Sequence, residues 1–115
     1  MPCSRGDVLL LLFPNSDLRT AKRRPVLVVQ ANRLATELPQ VIVAMISGNV
    51  ARARHPSRVP INRTDKSFRE SGLLTDSVVM TDNLVTVKEV SIHRKIGRFA
   101  GMAEVDAALR HTLAL

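Results

Sequence analysis

Cysteine is almost absent from this chain: among 115 residues there is one, Cys3. No intrachain disulfide can form and no zinc site built on paired thiolates exists, so a reducing, cytoplasmic setting is the default expectation. Tryptophan and tyrosine are missing, and the only aromatic residues besides histidine are Phe13, Phe68 and Phe99. The stacking platforms of sequence-tolerant single-strand binders are therefore lacking. Glycine is scarce, five residues that never cluster, which excludes a glycine-rich phosphate loop. His55, His93 and His111 stand far apart, and no HxxxH, DxD or CxxC pattern occurs, so no metal site or other cofactor is expected. Long apolar runs are absent as well. The stretch Val8 to Phe13 is too short for a signal-peptide core or a membrane span, and no membrane association is expected.

What is present is basic charge. The chain carries 17 Lys or Arg against 10 Asp or Glu, for a formal net charge of +7, and the excess is Arg-rich. With 45% hydrophobic and 23% charged residues the composition is that of a globular protein, and the length suits a single domain over residues 1–115. The charge is concentrated. The segment RTAKRR (19–24) holds four basic groups and no acid, and residues 50–69 hold six basic groups against Asp65. Localised arginine is a footprint for phosphate-bearing partners, because the planar guanidinium grips a phosphate with two parallel hydrogen bonds. A solvated loop kept soluble by its charge is the plainer reading of the same segments.

The apolar residues fall into short runs divided by turn chemistry. Strands are predicted over Gly6–Phe13, Pro25–Ala31 and Val41–Ile46, all continuous rather than alternating, as in strands buried on both faces. A short edge strand is expected over Arg58–Ile61. Further strands are expected over Leu73–Thr81 and Leu84–Val87 with a turn at Asp82-Asn83, and one straight or bent strand over Ser91–Phe99. Near the C-terminus the period changes. Met102, Val105, Leu109 and Leu113 share one face, with Glu104 and Asp106 early, where a helix dipole favours acids. A mainly β (α+β) fold results: a small barrel or strongly curved sheet of about seven short strands with a C-terminal amphipathic helix.

Taken in order, RGDV, an apolar run into Phe13-Pro14, a polar loop ending KRRPVLVV, a strand ending SGN, SGLLTDSVV, LVTV and KIGRFAGMAEVDAAL form a collinear set. That set, spanning about Arg5 to Leu113, resembles the MazF/PemK family of toxins. The resemblance implies an SH3-like barrel, a homodimer, and a metal-independent endoribonuclease of a type II toxin–antitoxin module. Such an enzyme cuts single-stranded RNA at short sequences and leaves a 2′,3′-cyclic phosphate.

The family's catalytic arginine precedes the proline of its RP motif, here Arg24. A guanidinium holds its protons too tightly for easy proton transfer and suits transition-state electrostatics better. The hydroxyl that contacts the scissile phosphate corresponds to Ser47, where many members have Thr. Asp76 resembles an acid placed near the site in some members. No histidine lies between Phe13 and Arg24, so the general base is unassigned. The loop 14–23, with Arg19, Lys22 and Arg23, would border the site, and Arg52, Arg54, Arg58 and Arg63 would extend an RNA groove. The resemblance also implies an acidic antitoxin segment that folds onto the RNA site. A non-cleaving toxin of the same fold, such as a CcdB-like gyrase poison, and a degenerate RNA-binding member are the alternatives.

Overall fold

The structure, a computed structural model, describes residues 3–14 and 16–115. Among the described residues there are six strands: β1 (Asp7–Pro14), β2 (Ala21–Val28), β3 (Gln40–Ser47), β4 (Arg58–Ile61), β5 (Ser77–Lys88) and β6 (Ile92–Arg98). They form one antiparallel sheet in the order β4-β5-β3-β2-β1-β6. The sheet is not closed, with β4 and β6 as its edges. A one-turn helix α1 (Phe68–Ser71), the terminal helix α2 (Met102–Leu113) and two 3-10 turns, Val50–Ala53 and Glu89–Ser91, accompany the strands.

The continuous apolar runs bury both faces, as read from the sequence. On one face Val8, Leu27, Ala44, Ile46, Val59, Ile61 and Val79 pack with Phe99 and with Val105 and Ala108 of α2. On the other, Leu9, Leu11, Val26, Val28, Val41, Val43 and Val87 form a second core. Successive residues Val26, Leu27 and Val28 of β2 thus alternate between two buried clusters, which only a sheet covered on both sides allows.

Three expectations need correction. The strand count is six, because Leu73–Thr81 and Leu84–Val87 are not two strands parted by a turn. Residues 73–76 are irregular, and β5 runs unbroken from Ser77 to Lys88. Its register against β3 jumps from Ala44↔Leu84 to Met45↔Met80, so residues 81–83 are extruded as a bulge. Thr81 anchors it: both its amide and its hydroxyl donate to the Ser57 carbonyl, at 3.1 and 2.6 Å, and Oγ1 lies 2.8 Å from Thr112 Oγ1 on α2. Asp82 and Asn83 are absorbed in that bulge rather than reversing the chain. The second correction concerns residues 14–23, which are not all loop. β2 starts at Ala21, so Lys22, Arg23 and Arg24 lie on a strand opposite Phe13, Leu12 and Leu11. Pairing to β1 sets that boundary, not hydrophobicity. Third, α1 was not anticipated.

Two glycines explain how α1 is held. At Gly97 on β6 a Cβ would overlap the backbone of Glu70 and Ser71, and at Gly72, with φ +75°, it would overlap the backbone of Ile96. Here α1 and β6 meet backbone to backbone, which only residues without Cβ permit. The contact fixes where residues 73–75 leave the helix.

Asp7 secures the start of β1. It is buried, accepts a hydrogen bond from the Ser4 amide at 2.8 Å, and lies 3.2 Å from Lys95 Nζ and 3.4 Å from Arg98 on β6. Asp7→Asn removes the buried charge both cations face and is expected to lower unfolding free energy by about 2 kcal/mol. Urea denaturation with an unchanged slope would register it; an unshifted midpoint would mean the contacts add nothing.

Candidate active site

β2 and β3 pair over only three residues, Val26↔Met45 to Val28↔Val43. The ladder stops at Pro25, which has no N–H to donate. Beyond it β2 stays with β1, while Met45, Ile46 and Ser47 of β3 stay with β5. The strands therefore part, and the opening is a cavity of about 560 Å³. Extending the register by two residues sets Arg24 across from Ser47, and both line the cavity. The proline ends the ladder, and its neighbour Arg24 stands at the resulting gap.

Ser47 opens a turn that delivers a second cation. Its Oγ accepts from the Asn49 amide at 3.1 Å, and Asn49 Oδ1 accepts from the Ala51 amide at 3.2 Å. Asn49 thereby caps the 3-10 turn Val50–Ala53, and Arg52 on that turn lines the cavity. Lys22 and Arg23 add two more cations from β2, and Arg94 adds one from β6. None of these five forms an ion pair with a described residue, and among the described residues no carboxylate or histidine is part of the lining. The chemistry available is cationic hydrogen-bond donation plus hydroxyls, from Ser47, from Thr75, and from Ser77 beside Ser47 on the neighbouring strand.

The other predicted residues lie elsewhere. Asp76 does not line the cavity although its neighbours Thr75 and Ser77 do; its Oδ1 accepts from the Arg63 amide at 2.7 Å. Arg58 forms a two-pronged pair with Asp82, at 2.9 and 2.7 Å, and donates to the Arg52 carbonyl at 3.0 Å. It buttresses the turn that presents Arg52, and its guanidinium holds the Asp82 carboxyl below the usual carboxylate range. A depressed carboxylate pKa adds stability at neutral pH that is lost only as pH falls through the acid range. Arg19 and Arg54 stand outside the lining, as does Asp17, whose carboxyl is lowered by hydrogen bonds from the Arg19 and Thr20 amides. Sequence reasoning missed Arg94 and Thr75. Nothing local separates Arg94 from Lys95 or Arg98, and Thr75 gave no signal beside the more conspicuous Asp76.

Among the described residues no three His, Cys, Asp or Glu side chains converge to hold a metal, and no helix is long and apolar enough to cross a membrane. The family model of PemK-like, MazF-like toxins of type II toxin–antitoxin systems matches residues 4–113. The chain belongs to that family. MazF/PemK relatives include endoribonuclease MazF6 of Mycobacterium tuberculosis and endoribonuclease MazF2 of Mycobacterium bovis. Each is 37% identical over 119 aligned positions that cover all of both chains. The solved Mycobacterium tuberculosis toxin MazF-mt6 superposes with a TM-score of 0.72 at 25% identity, over 95% of this chain and 97% of that one. A MazE–MazF complex from Deinococcus radiodurans gives 0.75 at 16% identity over 98% and 96%, which shows the shared MazF fold alone.

Ser47→Ala removes a hydroxyl but no charge. It is expected to slow RNA cleavage roughly tenfold to a hundredfold while RNA affinity stays within about twofold. Single-turnover kinetics beside equilibrium binding would separate the two, and a matched loss of both would make Ser47 a positioning residue.

Proposed function

We propose that this toxin is an endoribonuclease that cuts single-stranded RNA in the cavity between β2 and β3 without a metal ion. Arg24 and Ser47 lining the same cation-rich opening, where β2 and β3 part, is the observation that supports this most. The 2′-oxygen of the upstream nucleotide attacks the adjacent phosphorus, and the bond from phosphorus to the 5′-oxygen breaks, leaving a 2′,3′-cyclic phosphate. Negative charge grows on the non-bridging oxygens as phosphorus becomes pentacoordinate. The Arg24 guanidinium stabilises that charge and the Ser47 hydroxyl donates to it. With no carboxylate or imidazole in the lining, the 2′-hydroxyl proton leaves to water and the departing 5′-oxygen takes one from water. Lys22, Arg23 and Arg52 hold phosphates on either side of the scissile one.

The same cationic opening suits an acidic antitoxin segment, which would cover it and block RNA entry. A mycobacterial endoribonuclease of the same fold has been solved in complex with its cognate antitoxin. A homodimer in the cytoplasm completes the reading.

The test is incubation of the protein with a long RNA in excess EDTA, with new ends mapped by primer extension. Discrete cuts with cyclic-phosphate ends are expected. Intact RNA across varied sequences would defeat the proposal in favour of a toxin that only binds.

A further inference from the structure

β6 carries three cations, and they do different things. Lys95 and Arg98 both reach Asp7. Arg94 has no acidic partner among the described residues and lines the cavity with Arg24 and Ser47. The cause is the register of β6 on β1. Val8 pairs with Gly97 and Leu9 with Lys95, then Leu10 with Arg94 and Leu11 with Ile92, so one residue is skipped on each side, Ile96 and His93. Without the skip at Ile96, Arg94 would stand opposite Leu11, whose side chain is buried in the core on the other face. A one-residue slip moves a side chain to the opposite face of a sheet. The irregularity therefore puts Arg94 opposite Leu10, which itself lines the cavity, and Leu10 is flanked on its other side by Pro25 of β2. Bulges commonly re-aim a side chain beside an active site.

We propose that Arg94 is an RNA-gripping residue, one that forks a phosphate of the strand as it passes over Leu10 towards the β6 edge. This rests on the RNA-cleavage reading above and extends it. Cations then stand on three walls: Lys22, Arg23 and Arg24 from β2, Arg52 from the turn after β3, and Arg94 from β6. The substrate crosses the cavity from the β3 side to the edge of the sheet, not along β2 alone. Lys95, turned to Asp7, takes no part.

The experiment compares wild type, Arg94→Ala, Arg94→Gln and Arg110→Ala. Arg110 is exposed on α2 and outside the cavity lining, so its loss removes the same charge without touching the site. The binding probe is a mixed-sequence 20-mer RNA that is 2′-O-methylated throughout and so cannot be cut. Both Arg94 variants are expected to bind it about tenfold more weakly, with the salt slope shallower by roughly 0.7. On cleavable RNA, KM is expected to rise about tenfold with kcat within about threefold. Arg110→Ala is expected to match wild type. Unchanged affinity and slope in both Arg94 variants, or an equal loss in Arg110→Ala, would overturn the assignment. Arg94 is exposed, so thermal melts within 2 °C of wild type are expected; agreement between the Ala and Gln variants excludes a folding artefact of either. Failure of the wild type to cut RNA would sink the cleavage reading instead, while normal cleavage with indifferent Arg94 variants would sink only this one.

Discussion

Arg24→Ala is expected to lower the single-turnover rate of RNA cleavage roughly a thousandfold while weakening RNA binding only a few-fold. The asymmetry follows from the cavity. Four other cations, Lys22, Arg23, Arg52 and Arg94, line the same opening and on the proposed reading grip the flanking phosphates, so most of the ground-state attraction for a polyanion survives the loss of Arg24. On the proposed reading, what is lost is the donor that would meet the charge developing on the phosphorane, in the opening it shares with Ser47. Removing a single pre-positioned donor of that kind costs on the order of 10²–10³ in rate. Arg24→Lys keeps the charge and loses the planar fork, so partial recovery is expected. Quench-flow or gel-based kinetics with enzyme in excess would measure it. Equal losses in rate and affinity would show that Arg24 holds RNA rather than stabilising the transition state.

Gly97→Ala is expected to destabilise the fold by about 3 kcal/mol, lowering Tm by roughly 10 °C. The added Cβ would meet the Glu70 and Ser71 backbone, which cannot swing aside as a flexible side chain would. α1 must move off β6, and residues 73–75, which line the cavity, move with it. Cleavage by the folded fraction should therefore fall as well. Gly48→Ala provides the comparison, since a Cβ there meets nothing within 4 Å, and its melting temperature should match wild type. Differential scanning fluorimetry of the two variants decides the matter. A Gly97→Ala protein as stable as wild type would mean that α1 and β6 do not depend on this approach.

Much of the fold was legible because apolar pattern and turn chemistry are local. β4 lies over Arg58–Ile61 and α2 over Met102–Leu113, where the residue pattern puts them. The continuous runs of β1 to β3 signalled burial on both faces, and two cores are there. The failures were of another kind. Asp82-Asn83 has the composition of a turn, yet Thr81 bonds to Ser57 and Thr112, residues far away in sequence, and those bonds carry the strand straight through. Ala21 to Arg24 have no apolar pattern, yet β1 offers them a partner strand and they take it.

The candidate site divides the same way. The RP pair and the SGN turn place Arg24 and Ser47 by adjacency to a proline that ends a ladder and to a turn that follows a strand, and both are chain-local events. The sequence by itself therefore determined the family, the mainly β class and the basic character, and the family resemblance put forward Arg24 and Ser47 for phosphate chemistry. Only the tertiary structure decided which of the many arginines face the cavity. Arg58 is drawn to Asp82, 24 positions away, and Asp76 to the amide of Arg63, 13 positions away. Arg94 joins the lining through a slip in pairing with β1. The physical reason is that a cation's surroundings depend on pairing register and on distant partners, and those exist only once the strands have met.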